Sequence, residues 1–198
     1  MRYLILGTNT EIGKTHFCGL FVKHLKDKGR RVKYVKPIQT GYPKDDDASF
    51  VKRFANLKDD EAITIIKEEK PVAAAALFDK FPMDDVCSKI ERISEFDDLI
   101  IETAGGAFSP LDKTLLNYHF AKFLNLEVIL VVPNRLGCIS EAISNYRLLK
   151  YEGVSVYAIV MNNYFSHTKD QKNLELINRF CDDKVKIVFD KDKLTYIE

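Results

Sequence analysis

The chain has 198 residues, with 30 Lys and Arg against 29 Asp and Glu and a formal net charge of +1. Hydrophobic residues make up 46% and charged residues 30%, the balance of a globular protein that can bury one sizeable core. These figures exclude a disordered chain, a collagen and a disulfide scaffold, and the near-neutral charge supplies no global cationic field for nucleic acid. The longest apolar run, Val72 to Phe78, is far shorter than the ~20 residues of a membrane-spanning helix. Met1 to Gly7 is too short for a signal peptide and has no small-residue cleavage site.

Leu4-Ile5-Leu6 reads as a first buried strand. Over residues 14 to 28, Phe17, Leu20, Phe21 and Leu25 recur at helical spacing, and Gly29 closes the helix. Val32 and Tyr34 alternate with polar residues in a second strand, Arg31 to Lys36, which ends at Pro37. The segment from Pro37 to Lys80 mixes a charged helix-like piece, Ala48 to Asn56, with an alanine run, and reads as long loops at one end of a sheet. Asp97 to Glu102 is a third strand, and Val128 to Val132 is the clearest strand of all. A helix over 139 to 151 ends at Gly153, and a strand follows from Val154 to Met161. A helix over 168 to 181 and an edge strand from Lys184 to Phe189 complete the chain. Near-continuous apolar strands separated by helices predict one α/β domain over residues 1 to 198, its mostly parallel sheet flanked by helices on both faces. Ligands of such sheets sit beyond the carboxyl ends of the strands. The chemistry is therefore sought after Leu6, Lys36, Glu102, Val132 and Met161.

The four cysteines, Cys18, Cys87, Cys138 and Cys181, form no C-x-x-C and read as free thiols of a reducing, cytoplasmic compartment. His16, His24, His119 and His167 show no metal-ligand spacing and read as structural or exposed.

The first strand runs into Gly7-Thr8-Asn9-Thr10-Glu11-Ile12-Gly13-Lys14-Thr15 and then a helix, which is the context of a phosphate-binding P-loop. Backbone N–H groups curl around phosphate oxygens there, and the positive helix end faces them. Lys14 is placed to reach terminal phosphates and the Thr15 hydroxyl to hold Mg²⁺. Five residues separate Gly7 from Gly13, one more than the standard spacing, so Thr8 stands where the first glycine would. The first 36 residues hold nine Lys and Arg against two Asp and Glu, a surplus that reads mostly as a solvated helix face.

Lys36-Pro37-Ile38-Gln39-Thr40-Gly41 follows the second strand. A lysine there either stabilises a developing anion or is simply exposed. Asp45-Asp46-Asp47 either caps a helix or offers a carboxylate to Mg²⁺. Glu102, closing an apolar strand before Gly105-Gly106, suits a second Mg²⁺ position. The stretch from Val132 to Ser140 opens a helix whose N-terminus suits a carboxylate, or is an ordinary loop with Ser140 as a cap or first-turn residue. Asn162 suits a nucleotide base through its donor and acceptor atoms, or is a turn asparagine.

Together the Gly7 to Thr15 loop, Lys36 to Gly41, Asp47-Ala48, Glu102-Thr103-Ala104-Gly105-Gly106 with Phe108-Ser109-Pro110-Leu111, and Leu136-Gly137-Cys138-Ile139 resemble dethiobiotin synthetase. They occur in family order and cover most of residues 1 to 163. The resemblance implies a single-domain P-loop NTPase that uses ATP and Mg²⁺ to carboxylate 7,8-diaminononanoate with CO₂ and close the ring of dethiobiotin. The route implied is a carbamate and a carbamic-phosphoric anhydride.

By position, the resemblance makes Lys36 and Lys14 catalytic. It assigns Glu11, Ile12, Gly13, Lys14, Thr15, His16, Asp47, Glu102, Thr103, Ala104, Gly105 and Asn162 to the nucleotide. Thr15, Asp47 and Glu102 become Mg²⁺ ligands. Thr10, Lys36, Thr40, Gly137, Cys138 and Ser140 fall to the diamine substrate, the last three offered by a partner subunit of a homodimer. No nucleic-acid or membrane partner is implied. Lys36→Gln is expected to abolish ring closure and largely spare the fold.

The chain departs from the family at Thr103, where a glycine is usual, and at Arg135 and Ser140, where lysine and asparagine are expected. The S-P-H substrate-loop pattern is not evident over Pro71 to Ala76. The proline-containing loop that packs on adenine is missing, since no proline follows Pro133, which leaves the base preference open. The alternative is a nucleotide-switched partitioning or positioning P-loop ATPase acting through dimerisation. That class carries an extra lysine early in the loop, and Thr8-Asn9-Thr10 has none. The P-loop amidation enzymes of cobalamin synthesis usually carry a glutaminase domain, for which the chain has no room.

Overall fold

The computed structural model describes residues 1 to 165 and 171 to 197. His167 and the expected helix start at 168 lie outside the described residues. The strands are β1 (Arg2–Gly7), β2 (Val32–Thr40), β3 (Ala62–Glu68), β4 (Asp98–Glu102), β5 (Glu127–Pro133), β6 (Val156–Asn162), β7 (Val185–Asp190) and β8 (Lys193–Tyr196). The helices are α1 (Lys14–Asp27), α2 (Asp47–Ala55), α3 (Met83–Glu91), α4 (His119–Leu124), α5 (Cys138–Tyr151) and α6 (Gln171–Phe180). One sheet takes in every strand, in the order β3-β2-β4-β1-β5-β6-β7-β8. All its pairings are parallel except the antiparallel β7–β8 pair. The expected mostly parallel sheet with helices on both faces is the fold found.

Alternation along the strands divides the core in two. Leu4, Leu6, Leu99, Ile101, Val128 and Leu130 face one layer, with residues of α3, α4 and α5. Tyr3, Ile5, Tyr34, Ile100, Ile129 and Val131 face the other, with residues of α1 and α2. A sheet covered on both faces forces both sets of alternate positions to be apolar, which is why β1, β4 and β5 read as continuous runs. Among the described residues no helix is long and apolar enough to cross a membrane. All four cysteines are free and buried.

Several expectations are corrected. Pro37 does not end β2, which continues to Thr40. The Tyr34 N–H donates toward β3, to the Glu61 carbonyl, so odd-numbered residues of β2 face β4. The β2–β4 register stops at Val35 opposite Ile101, so Pro37 lies where β2 is paired with β3 alone, and its missing donor falls on the flank away from that partner. The segment from Pro37 to Lys80 is not all loop: it carries α2 close to the expected bounds and the whole of β3. The β-branched run Ile63-Thr64-Ile65-Ile66 makes that strand, and dense flanking charges hide it in the pattern. The strand expected over 184 to 189 is present as β7 (Val185–Asp190), but β8 lies outside it and forms the edge. The helices α3 and α4 add apolar positions at helical spacing, among them Met83, Val86, Cys87 and Ile90, that the pattern reading passed over.

Asp112 ties two stretches of irregular chain together. Its carboxylate accepts from the backbone N–H groups of Phe81 at 2.7 Å, Thr114 at 2.7 Å and Leu115 at 2.8 Å. The Phe81 and Thr114 amides, with Leu115 and the Thr114 hydroxyl, outweigh desolvation and hold the Asp112 carboxyl well below the usual range.

Two stability measurements check this account. By urea unfolding, Leu130→Ala, in a fully buried central strand, is expected to cost about 3–5 kcal/mol, and Ile63→Ala on the partly covered edge strand β3 about 1 kcal/mol. Asp112→Asn is expected to be less stable than wild type near neutral pH. A carboxyl depressed in the folded state contributes above its unfolded pKa and loses that contribution as pH falls through its folded value. The gap between the two melting curves should therefore close as the pH drops below about 4.

Candidate active site

The carboxyl ends of β1, β2, β4 and β6 open on one cavity of about 1000 Å³. Its floor is the turn between β1 and α1. Gly13 adopts φ +87°, a left-handed conformation that swings the chain into the first turn of α1. A Cβ there would stand 2.4 Å from Asn162 Nδ2, so Gly13 also leaves room for the end of β6. The backbone N–H groups of Lys14, Thr15 and His16 open the helix without intrahelical acceptors and line the cavity. That is the arrangement of an anion site. Ile12 is buried and packs in the core layer of α1, which anchors the loop.

A compact group of charges sits beside this loop. Lys36, at 2% exposure, reaches Glu102 Oε1 at 3.0 Å and Asp47 Oδ2 at 2.5 Å. Its Nζ also donates to the Thr103 carbonyl at 3.4 Å. Glu102, at 1% exposure, accepts from Thr15 Oγ1 at 2.8 Å on Oε1 and from Tyr34 OH at 2.7 Å on Oε2. Lys14 Nζ donates to the Asn9 carbonyl at 3.1 Å. Burial opposes the Lys36 charge, but Glu102 and Asp47 outweigh it and raise the pKa above the ordinary lysine value. Burial likewise opposes the Glu102 charge, and Lys36, Lys14 and the Tyr34 hydroxyl hold its carboxyl below the usual range. Burial wins at Lys14, whose pKa drops to about 8 with only partial relief from Glu102.

The three consecutive aspartates divide the two roles open in the sequence. Asp46 caps α2, accepting from Ser49 N at 3.0 Å and Ser49 Oγ at 2.6 Å. Asp47 opens that helix and turns its carboxylate onto Lys36, while Asp45 lies on the cavity wall. Gln39, which the sequence reading did not single out, links strand to helix. Its Nε2 donates to the Thr40 carbonyl at 2.9 Å, and its Oε1 accepts from Asp47 N at 3.3 Å. Tyr34 was also missed: its place in an alternating strand explains its burial but gives no sign of the bond to Glu102.

Of the residues singled out from the sequence, the cavity brings together Thr10, Glu11, Ile12, Gly13, Lys14, Thr15, His16, Lys36, Thr40, Asp47, Glu102, Ala104, Gly105 and Asn162. Four stand apart from its lining. Thr103 is buried against the sheet with its hydroxyl on the Ile5 carbonyl at 3.4 Å. A β-branched residue therefore continues the β4 edge without crowding the cavity. Gly137, Cys138 and Ser140 lie at the N-terminus of α5, where Cys138 is buried and Ser140 is exposed. Asn162 is held at both ends, with Nδ2 donating to the Ile12 carbonyl at 2.9 Å and Oδ1 accepting from Tyr164 N at 2.9 Å. The wall next to it is Tyr164, Lys191 and Asp192. The His16 ring packs among Phe50, Phe54 and Phe189, and its Nε2 meets the Lys191 carbonyl, which draws the β7–β8 turn over the start of α1.

The donor set suits a hard divalent cation. Thr15 offers a hydroxyl within 2.8 Å of Glu102 Oε1, and Asp47 offers a second carboxylate across Lys36. Among the described residues no group of three His, Cys, Asp or Glu side chains is arranged to hold a metal alone. These oxygens therefore fit Mg²⁺ shared with nucleotide phosphates rather than an all-protein cage.

The family model described as AAA domain matches residues 1–191. The ATP-dependent dethiobiotin synthetase BioD of Bacillus subtilis is 33% identical over 190 residues, covering 90% of this chain and 82% of that protein. The protein of the same name from Methanocaldococcus jannaschii is 30% identical over 168 residues, covering 80% of this chain and 78% of that one. Among solved structures, the 54 kDa signal recognition particle protein of Aeropyrum pernix, in complex with GDP, superposes with a TM-score of 0.60. It is 17% identical and covers 99% of this chain and 43% of that one, a likeness of fold alone. A P-loop beside a paired lysine and glutamate and relatives of one name along most of both chains agree: the chain belongs to the ATP-dependent dethiobiotin synthetases, ligases of biotin biosynthesis.

Proposed function

We propose that the chain catalyses the ATP-driven closure of 7,8-diaminononanoate and CO₂ to dethiobiotin, with Lys36 at the carbamate and Lys14 at the phosphates. The observation that carries this reading is the Lys36 ammonium, buried between Glu102 and Asp47 within the same cavity as the phosphate loop. One substrate amine adds to CO₂ and loses a proton, giving a carbamate. A carbamate oxygen takes the terminal phosphoryl group, and ADP leaves. The second amine attacks the carbonyl of the mixed anhydride, phosphate leaves, the nitrogen loses a proton, and the cyclic urea is closed.

The second step brings two anions together, so it depends on cations held in place beforehand. Lys14 serves the phosphates and Lys36 the carbamate oxygens. Lys36 keeps its proton because its raised pKa leaves the ammonium charged across the neutral range. Asp47 and Glu102, which the proposed cation site would also use, hold the Lys36 ammonium beside the phosphate loop. Mg²⁺ on Thr15, Asp47 and Glu102 would supply charge neutralisation at the phosphates. Thr10 and Thr40, in the cavity lining, would serve the diamine, and Asn162 with Tyr164, Lys191 and Asp192, in the same lining, would serve the base. Gly137, Cys138 and Ser140 sit beside the fully exposed Leu136 and outside the chain's own cavity, which supports their service to a second subunit's site in a homodimer.

The test is to incubate the protein with diamine, bicarbonate, Mg²⁺ and ATP and to detect dethiobiotin by mass. No diamine-dependent phosphate release with any common nucleotide would sink the reading. Lys36→Gln should lower turnover by about 10²–10³-fold. The ion pairs of Lys36 make a stability cost the expected outcome as well, against the sparing of the fold expected from the sequence alone. The variant strips a buried carboxylate of its partner, a loss of about 3–5 kcal/mol, so turnover should be read at a temperature where its melt shows it folded. Lys14→Ala should chiefly weaken ADP binding, measured by calorimetry.

A further inference from the structure

The turn after β4 is held peptide by peptide, and one side chain outside the cavity lining, Asn117, holds two of its carbonyls. The Thr103 carbonyl accepts from Lys36 at 3.4 Å. The Ala104 carbonyl accepts from Asn117 Nδ2 at 2.5 Å. The Gly106 N–H donates to Ser109 Oγ at 2.8 Å. The Gly106 carbonyl accepts from Asn117 Nδ2 at 2.8 Å, and the N–H of that same peptide, on Ala107, donates to the Gly7 carbonyl at 2.7 Å. Asn117 thus spends both amide hydrogens on carbonyls two residues apart. Its own N–H donates to the Ser109 carbonyl at 3.1 Å, which fixes its backbone as well.

Planarity then settles one donor. The N–H of Gly105 shares a rigid peptide with the Ala104 carbonyl and points opposite to it. The carbonyl points to buried Asn117, so the N–H points away from Asn117, and both Ala104 and Gly105 belong to the cavity lining. Among the described residues the Gly105 N–H meets no protein acceptor. Gly105 has φ +77°, and a Cβ there would stand 2.7 Å from Ser109 Oγ, so the turn depends on glycine as well as on its clamps. Asn117 Oδ1 meets no donor among the described residues. The unmet Oδ1 shows that the amide is not there for its acceptor. The side chain is explained by its two donor hydrogens.

We infer that Asn117 is a positioning residue for phosphoryl transfer: it locks the Ala104–Gly105 peptide so that the Gly105 N–H faces the transferring group opposite Lys14. The inference rests on the proposed ring-closing activity and adds to it a residue that touches neither substrate. Fixed backbone donors act on charge that develops in the transition state, so their loss falls on turnover more than on ground-state binding.

The experiment compares wild type with Asn117→Asp and Asn117→Leu, two near-isosteric changes that remove the donors. Melting curves show which variants fold. Turnover is measured at saturating ATP and diamine, and ADP binding by calorimetry. The expected result is a fall in kcat of about 10–100-fold with ADP affinity held within about twofold, since ADP lacks the transferred group. A purely structural role would lower the melting temperature and leave the kcat of folded enzyme unchanged. A folded Asn117→Leu that turns over at the wild-type rate overturns the inference, and so does a loss of ADP affinity that matches the loss of kcat. Inactive wild type instead sinks the proposed activity itself. Should neither variant fold, the Gly105 amide resonance of the wild-type protein decides. It should move downfield with ADP and aluminium fluoride, a mimic of the transferring phosphoryl group, and stay in place with ADP alone. No movement with the mimic overturns the inference.

Discussion

The site is built around the ion pair between Lys36 and Glu102. Taking an ammonium and a carboxylate out of water costs several kcal/mol each, and only close pairing with further hydrogen bonds offsets it. Here Glu102 is bonded on both oxygens, by Lys36 and Thr15 on one and Tyr34 on the other. Lys36 is bonded by Glu102, Asp47 and the Thr103 carbonyl. Sheet order makes this possible. β4 lies between β2 and β1, so the last residue of β4 ends between the strand that carries Lys36 and the strand that leads to Thr15. Residues far apart in sequence meet because parallel strands all finish at one end of the sheet.

Lys14 stands apart from that balance. Burial pulls its pKa to about 8, and the only hydrogen bond its ammonium makes among the described residues is to the Asn9 carbonyl. An anion at the helix N-terminus would supply the missing counter-charge, and the free N–H groups of the first turn of α1 face the same point. The Lys14 charge thus suits an anion, whereas the Lys36 cluster is satisfied within the protein.

Much of this was legible beforehand, for identifiable reasons. The loop from Gly7 to Thr15 announces itself because strand, turn and helix each demand particular residue types. Glu102 was readable because an acid ending an apolar strand has no role in the core. Position in the chain could not tell Asp46 from Asp47. Capping and ion pairing call for the same carboxylate, and only the direction of each side chain separates them. Tyr34 and Gln39 were missed because their polar atoms matter only once β4 and α2 are folded beside them. β3 was missed because its apolar run is short and set among charges, and Pro37 was taken as a stop because the one-sided pairing of β2 beyond Val35 is a property of the sheet.

That one-sided pairing gives the two halves of the cavity unequal foundations. The phosphate loop springs from β1, which has β4 on one flank and β5 on the other. The stretch of β2 from Lys36 to Thr40 has a ladder partner on one flank only, and that partner, β3, is the outermost strand on its side. Strand edges open at lower free energy than sheet centres. The half of the cavity that carries Lys36 and Thr40 thus rests on fewer ladder partners than the half that carries the phosphate loop, and leans instead on the Lys36 ion pairs to tie it to β4 and α2.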